Sequence, residues 1–356
     1  MSTPKLKTIA ENLGLSIGTV QRALHDKGGY SEETRERILR EAERIGYTAN
    51  AAASALRRSP ITLGVLLPRP EGRNTYFFQY LWQGIDRALR DLSIYRIELV
   101  RCFVEPGSPE YAEALQALLD RPEPIDGLIT VSRRDERADR LIDLFLERET
   151  PVFIINSVYD PRRTHPMLYA INANRHIGHL GADIFSAIHR GSQGKLLLLG
   201  GDRKNRLQVE RSSDFCQRVG EECPEISILE THYYHDLTRL NTVVREYLEK
   251  LDDIVGIYAV SARETLTACQ AVATAAKDER PTLVGTDAFP ELLPFFENGV
   301  LTASVYQYPA KQSYMAVQML ISAIVKTPLT DPAERFPIVP VFRSTAQIFC
   351  DPVGMI

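Results

Sequence analysis

Three short patterns in this 356-residue chain have the residue types of a reaction centre. The run GLSIG at 14–18 matches the Gly-x-Ser-x-Gly pattern of a nucleophile elbow. That elbow needs a strand before its serine, whereas the flanking segments here read as two short helices. His176 with His179, and His232 with His235, stand three residues apart, but no carboxylate or cysteine set completes a metal site around them. They read as surface or hydrogen-bonded histidines. There is no P-loop and no Gly-x-Gly-x-x-Gly, and nothing assembles a nucleophile, a base and an orienting group. The expectation is a chain that is not an enzyme and holds neither metal nor cofactor. What remains is a series of polar residues at the ends of apolar runs, among them Asn156, Asp287 and Gln307. Where such runs are parallel strands, groups at their carboxyl ends converge on a ligand.

The elements that would position these groups fall into two textures. In residues 13–24, LGLSIGTVQRAL, Gly14 suits a bend and Ser16 an N-cap whose hydroxyl takes the amide of Thr19. Val20, Ala23 and Leu24 repeat at helical spacing, leaving Ile17, Gly18, Gln21 and Arg22 outside. With Ile9, Ala10 and Leu13 on the preceding segment, the pattern is a helix-turn-helix. A third helix follows Ser31, with Ile38, Ala42 and Ile45 inward and Gly46 as its stop. Residues 50–58, NAAASALRR, have helix propensity and Asn50 as a cap, but too few turns to be stable alone. From Ile61 onward, apolar runs such as ITLGVLLP, IDGLITV and GKLLLLGG alternate with amphipathic helices. That alternation predicts parallel sheets with helices on both faces, too many strands for one sheet, and hence two lobes.

Residues 4–57 resemble the DNA-binding headpiece of the lactose-repressor (LacI) family of bacterial transcription regulators, through TIAENLGLSIGTVQRAL and GGYSEETRERILREAERIGYTANAAASAL. The remainder resembles that family's effector core, of the type I periplasmic-binding-protein fold. The resemblance implies a headpiece at 1–49 and a hinge at 50–60. It implies a first lobe from 62–161 with 308–330, and a second from 162–306 with 331–356. It also implies a homodimer, with a tetramer as the alternative, on a pseudo-palindromic double-stranded operator. Arg22, Ile17 and Gly18 would meet base edges, and Ser16, Thr19 and Gln21 the phosphates. Gln21 stands where the family usually has serine. Leu56 matches the hinge leucine that wedges into the minor groove, although Ala53-Ser54 departs from the usual Ala-Arg.

In the core, Phe77 and Phe78 match a sugar-holding aromatic pair, with Asn74 or Thr75 as polar partner. Asn156 stands where Asp is frequent, and Asn174 matches an asparagine whose usual aspartate neighbour is replaced by Ala173. Arg211, Asp287 and Gln307 match further contacts. In IYAVSARET the expected Asn or Asp is missing, with Glu264 as a stand-in. A polyhydroxylated effector is implied, and these departures point to a modified sugar or a polyol. A degenerate cleft governed by a partner protein, and a solute-uptake protein, are the competing readings.

Composition agrees with that class. At 44% hydrophobic and 25% charged, the chain has the balance of a globular protein. No apolar run is long enough for a membrane span, and the N-terminus lacks the apolar stretch of a signal peptide, so a cytoplasmic protein is expected. Cys102, Cys216, Cys223, Cys269 and Cys350 show no paired spacing, which fits a reducing compartment. Through Arg58 there are ten Lys/Arg against seven Asp/Glu, a balance of +3; the total of −4 leaves −7 for the rest. The attraction for phosphate thus lies on the N-terminal segment.

Overall fold

The computed structural model describes residues 6–24, 28–45, 59–105, 108–131, 136–155, 165–170, 174–233, 235–275, 280–326 and 338–351. The chain divides into two compact units, Met1–Pro60 and Ile61–Ile356. In the first, α1 (Leu6–Leu13), α2 (Ile17–Leu24) and α3 (Glu32–Arg44) surround a small core of Ile9, Ala10, Val20, Ala23, Ile38 and Ala42. Gly14 takes φ +64° between α1 and α2, a conformation that costs other residues energy. Ser16 and Ser31 cap α2 and α3, their hydroxyls accepting the amides of Thr19 at 3.0 Å and Thr34 at 3.2 Å. Asn12 and Arg44 both reach Glu41, and the hydrogen bonds from Arg44 first, then Asn12, hold its carboxyl down at about 2.

The second unit is built on two sheets. The first comprises β1 (Ile61–Leu67), β2 (Ile97–Phe103), β3 (Gly127–Val131), β4 (Val152–Ile155) and β5 (Leu168–Ala170), all parallel, in the order β2-β1-β3-β4-β5. The helices α4 (Thr75–Asp91), α5 (Pro109–Leu119) and α6 (Glu136–Glu147) connect them. β1 and β3 are almost wholly buried because helices cover both faces, which is why they read as unbroken apolar runs. β2 lies at the edge and carries Glu98 and Arg101 outward.

The second sheet has the order β11-β10-β9-β8-β6-β7, from β6 (Gly194–Leu199), β7 (Ile226–Thr231), β8 (Ile254–Ala259), β9 (Thr282–Thr286), β10 (Ala303–Tyr306) and β11 (Val339–Val341). Its helices are α7 (Asn174–His189), α8 (Arg206–Glu222), α9 (Leu237–Lys250), α10 (Ala262–Thr274), α11 (Leu293–Glu297) and α13 (Arg343–Cys350). Between β10 and β11 runs α12 (Pro309–Val325), which packs along α4 of the first lobe. The approach is close enough that a Cβ on Gly84 would lie 2.0 Å from the Ala310 carbonyl oxygen, so only glycine fits.

Two expectations change. The sheets are not uniformly parallel, since β11 runs antiparallel to β10. Strand β5 belongs to the first sheet, so the first crossing between lobes follows Ala170 and does not fall near residue 161. A three-residue strand is too short to give a periodic signal, which explains why both features escape the sequence pattern.

Candidate functional site

The carboxyl ends of β6, β8, β9 and β10 gather a group of buried polar side chains. Arg211, from the first half of α8, is 6% exposed and donates from Nη1 to the Val260 carbonyl at 2.5 Å. Asp287 follows β9 with φ +70°, a left-handed conformation that aspartate tolerates better than most residues. Its amide donates to Val305 O at 2.8 Å, and Ser304 Oγ donates to its carbonyl, so the strained backbone is held from both sides. Gln307, after β10, donates from Nε2 to both carboxylate oxygens of Asp287, at 2.9 and 3.1 Å. Glu264, in the first turn of α10, has no exposed surface, and one of its oxygens accepts from Ser261 Oγ at 3.0 Å.

Electrostatics follow from this burial. Desolvation pushes the Glu264 carboxyl up to about 8, against the pull of the Ser261 hydroxyl, Arg263, the Gly201 amide and Arg211. Asp287 is pushed up to about 6 by the same cause, opposed by Gln307 and then Arg211. Burial lowers Arg211, while Tyr258, Asp287 and Glu264 favour its charge. The cluster therefore holds a guanidinium among buried acids whose protonated forms burial favours. Such perturbed groups at the carboxyl ends of parallel strands make this cluster the candidate ligand site.

The residues expected on the first lobe are arranged differently. Asn74 stands at the N-cap position of α4 without a capping hydrogen bond, its side chain donating to Glu105 instead, and Thr75 is the first residue of the helix. Phe77 and Phe78 meet edge to face at 5.3 Å and pack half-buried on the first lobe's core. The neighbouring Tyr76 reaches the second lobe, stacking on Phe289 with ring centroids 4.7 Å apart and 27° between planes, and Tyr80, one turn on, is buried in the same lobe's core. That contact joins the first turn of α4 to the segment after β9. Asn174 opens α7, while Asn156 lies outside the described residues.

Sequence reasoning did not find Tyr76, Phe289 or Gln312. Gln312 lies in α12, is 1% exposed, and donates from Nε2 to the Gln307 carbonyl at 2.7 Å. Lys311 and Ser313 flank it, so nothing local in PAKQSY singles it out.

In the three-helix unit, Ser16, Ile17, Gly18, Gln21 and Arg22 are exposed and Thr19 half-exposed, while Val20 and Ala23 are buried. Ser16 Oγ and Thr19 Oγ1 lie 2.9 Å apart. Asn50 and Leu56 lie outside the described residues. The Gly-x-Ser-x-Gly match sits between α1 and α2, with no strand before it. His232 contacts Glu230 at 2.9 Å and the Gly201 carbonyl at 3.2 Å, and His235 lies 3.6 Å from Asp202. Among the described residues no group of His, Cys, Asp and Glu could hold a metal ion, and no helix is long and apolar enough to cross a membrane.

Residues 66–327 match the model of the periplasmic binding protein domain. A curated relative, the HTH-type transcriptional regulator pepR1 of Lactobacillus delbrueckii subsp. lactis, is 27% identical over 154 residues, 43% of this chain and 43% of the relative. The match thus spans less than half the length of that protein. Among solved structures, a periplasmic solute-binding protein of an ABC transporter from Actinobacillus succinogenes, with bound D-allose, aligns with a TM-score of 0.69 at 16% identity. That alignment covers 81% of this chain and 100% of the other. A Bacteroides fragilis protein described as a LacI transcriptional regulator also gives a TM-score of 0.69 at 16% identity, covering 82% and 100%. The chain belongs to the periplasmic binding protein domain family, and HTH-type transcriptional regulators of the LacI family are among its relatives.

Proposed function

We propose that this protein is a transcription regulator of the LacI type, binding a pseudo-palindromic operator as a homodimer under the control of a small sugar- or polyol-like effector. The observation that carries the reading is the division of labour between the two units. One offers a short capped helix with Ile17, Gly18, Gln21 and Arg22 outward. The other gathers Arg211, Glu264, Asp287 and Gln307 at strand ends.

In this reading α2 enters the major groove. Arg22 pairs with guanine O6 and N7 and Ile17 meets a thymine methyl, while Ser16, Thr19 and Gln21 fix the register on phosphates. The stretch 50–60 forms the hinge, with Asn50 as its cap and Leu56 as a wedge that opens a base step in the minor groove. The effector sits between the lobes, the buried cluster on one side and the first turn of α4 on the other. Lobe closure then changes the spacing of two hinge segments that are stable only together.

Selection from a random duplex pool with the full-length protein tests the DNA half of the reading. A two-fold symmetric site should be enriched, and D-allose or another neutral sugar from a screened panel should change its affinity. A pool that yields no sequence above background would remove the operator from the account.

A further inference from the structure

Among the described residues five other than glycine have a positive φ, and four of them stand where that conformation is ordinary. Arg96, Glu149 and Lys326 follow helical turns, where a left-handed residue is a common ending, and Asp287 is of a type that tolerates it. Tyr308 is the exception. It is aromatic, it stands at the N-cap of α12, where an extended backbone is usual, and Pro309 after it also drives it toward extension. Its backbone is nonetheless left-handed, with φ +53° and ψ +57°. The position is the return of the chain from β10 to α12, the one passage between the lobes that lies wholly within the described residues.

Its surroundings hold it there. The Tyr308 ring meets Tyr306 at 4.8 Å and Phe349 of α13 at 6.1 Å, and Phe349 meets Tyr306 at 5.4 Å. Gln312 donates its amide to the Tyr308 carbonyl at 3.0 Å and its Nε2 to the Gln307 carbonyl at 2.7 Å. Tyr80 of α4 and Ala310 of α12 are buried in the second lobe's core, and Tyr76 stacks on Phe289. We propose that Tyr308 is a loaded hinge: its backbone is left-handed while the lobes are together and extended when they part, and Phe349 holds the loaded form. Strain at Tyr308 favours parting, whereas the ring contacts and the burial of Tyr80 and Ala310 oppose it. Helix α13, which touches the hinge through Phe349, thereby sets how readily the lobes separate. The inference goes beyond the effector reading, since neither ligand nor DNA enters it.

The test is hydrogen exchange of the full-length protein, read on peptides over residues 303–316 and, for comparison, over β8. Tyr308→Gly and Tyr308→Ala both lose the ring and differ in the cost of a left-handed backbone. The crossing should therefore open at least about fivefold more often in Tyr308→Ala than in Tyr308→Gly, while β8 exchanges alike in both. Phe349→Ala should raise opening of the crossing by about two- to tenfold in the parent, the worth of an edge-to-face ring contact, and by less in the Tyr308→Gly background. Tyr76→Ala loosens the lobes from a distant part of the chain and should raise exchange at the crossing as well. Equal exchange at the crossing in Tyr308→Gly and Tyr308→Ala overturns the proposal. A gap between them that shows equally in β8 makes the strain a matter of overall stability and overturns it too. An unchanged crossing in Tyr76→Ala assigns the opening to fraying of α12, and an unchanged crossing in Phe349→Ala removes the clamp; either result ends the proposal.

Discussion

The two units of this chain treat polar side chains in opposite ways. Among the described residues of the three-helix unit the buried core is six small or branched apolar residues, and the outward side chains of α2, which in the proposed reading meet DNA, stand in solvent. In the two-sheet unit the polar residues of interest are all but enclosed, Glu264 wholly and Arg211, Asp287 and Gln307 to within a few per cent. The first arrangement leaves each group hydrated, where in the proposed reading a long-range field does the recruiting. The second strips water away, so each group must be matched by a partner or shift its protonation state. In the proposed reading the exposed set docks and the enclosed set discriminates.

Breaking the enclosed side should give the largest effect. The folded Glu264 carboxyl, at about 8, sits above its ordinary value of 4.5, so the native state holds a proton that the unfolded chain releases across that window. Stability is fully present below about pH 4.5 and declines as pH rises through 8. Asp287 adds to the same slope between its ordinary 3.8 and about 6. Glu264→Gln keeps the shape and cannot ionise, so it should flatten the slope and be more stable than the parent at pH 9. The upper limit is about 5 kcal/mol, from the size of the shift. Urea unfolding at pH 5, 7 and 9 measures it, and parallel pH profiles for the two proteins would show that Glu264 is not the group responsible.

Arg211→Ala comes next. It removes the cation that lies among Glu264, Asp287 and Tyr258, and leaves Val260 without its donor. Loss of one member of a buried charged group costs about 3 kcal/mol. The variant should lose its response to effector along with part of its stability. Asp287→Asn separates the two, because an amide can keep a hydrogen bond to Gln307 while losing the charge. It should stay near parental stability, still bind operator, and respond to effector weakly. An Asp287→Asn protein with the full response would place the effector elsewhere.

How much of this was legible in the sequence follows the same division. The three-helix unit is written locally: Ser16 and Ser31 are caps, and Val20 with Ala23 repeats at helical spacing within a few residues. The buried apolar strands and the positions of Asp287 and Gln307 directly after them were legible for a similar reason, each being a run followed by one polar residue, whereas Arg211, inside the helix after β6, was reached through the family resemblance. What the pattern did not carry depends on partners far along the chain. Tyr76 meets Phe289 across the lobes, β11 turns back along β10, and Gln312 finds Gln307 only once the crossing helix is laid down. No window of a dozen residues contains such pairs.

On the exposed side, Arg22→Ala should cost about 1–3 kcal/mol of operator binding, the worth of a bidentate base contact, and leave non-specific DNA binding and its salt dependence little changed. Filter-binding or fluorescence titration on operator and random duplexes separates the two. An equal loss on both would make Arg22 a phosphate contact.

The smallest effect expected is at Ser16, and it tests whether the three-helix unit is as lightly held as its core suggests. The Ser16 hydroxyl accepts the Thr19 amide at 3.0 Å, while its carbonyl already takes the amides of Thr19 and Val20. Ser16→Ala leaves the carbonyl contacts and removes the side-chain one, at about 1 kcal/mol for a lost N-cap. In a large core that loss disappears into the total. Here the described residues of the unit bury Ile9, Ala10, Val20, Ala23, Ile38 and Ala42, with only partly buried residues such as Leu13 and Leu24 packed on them. Hydrogen exchange on the full-length protein should therefore show the amides of α2 opening about fivefold more often, while those of β1, β3 and β8 keep their parental rates. Faster exchange in the sheets as well would mean that the two units unfold together, and the contrast drawn between them would fail.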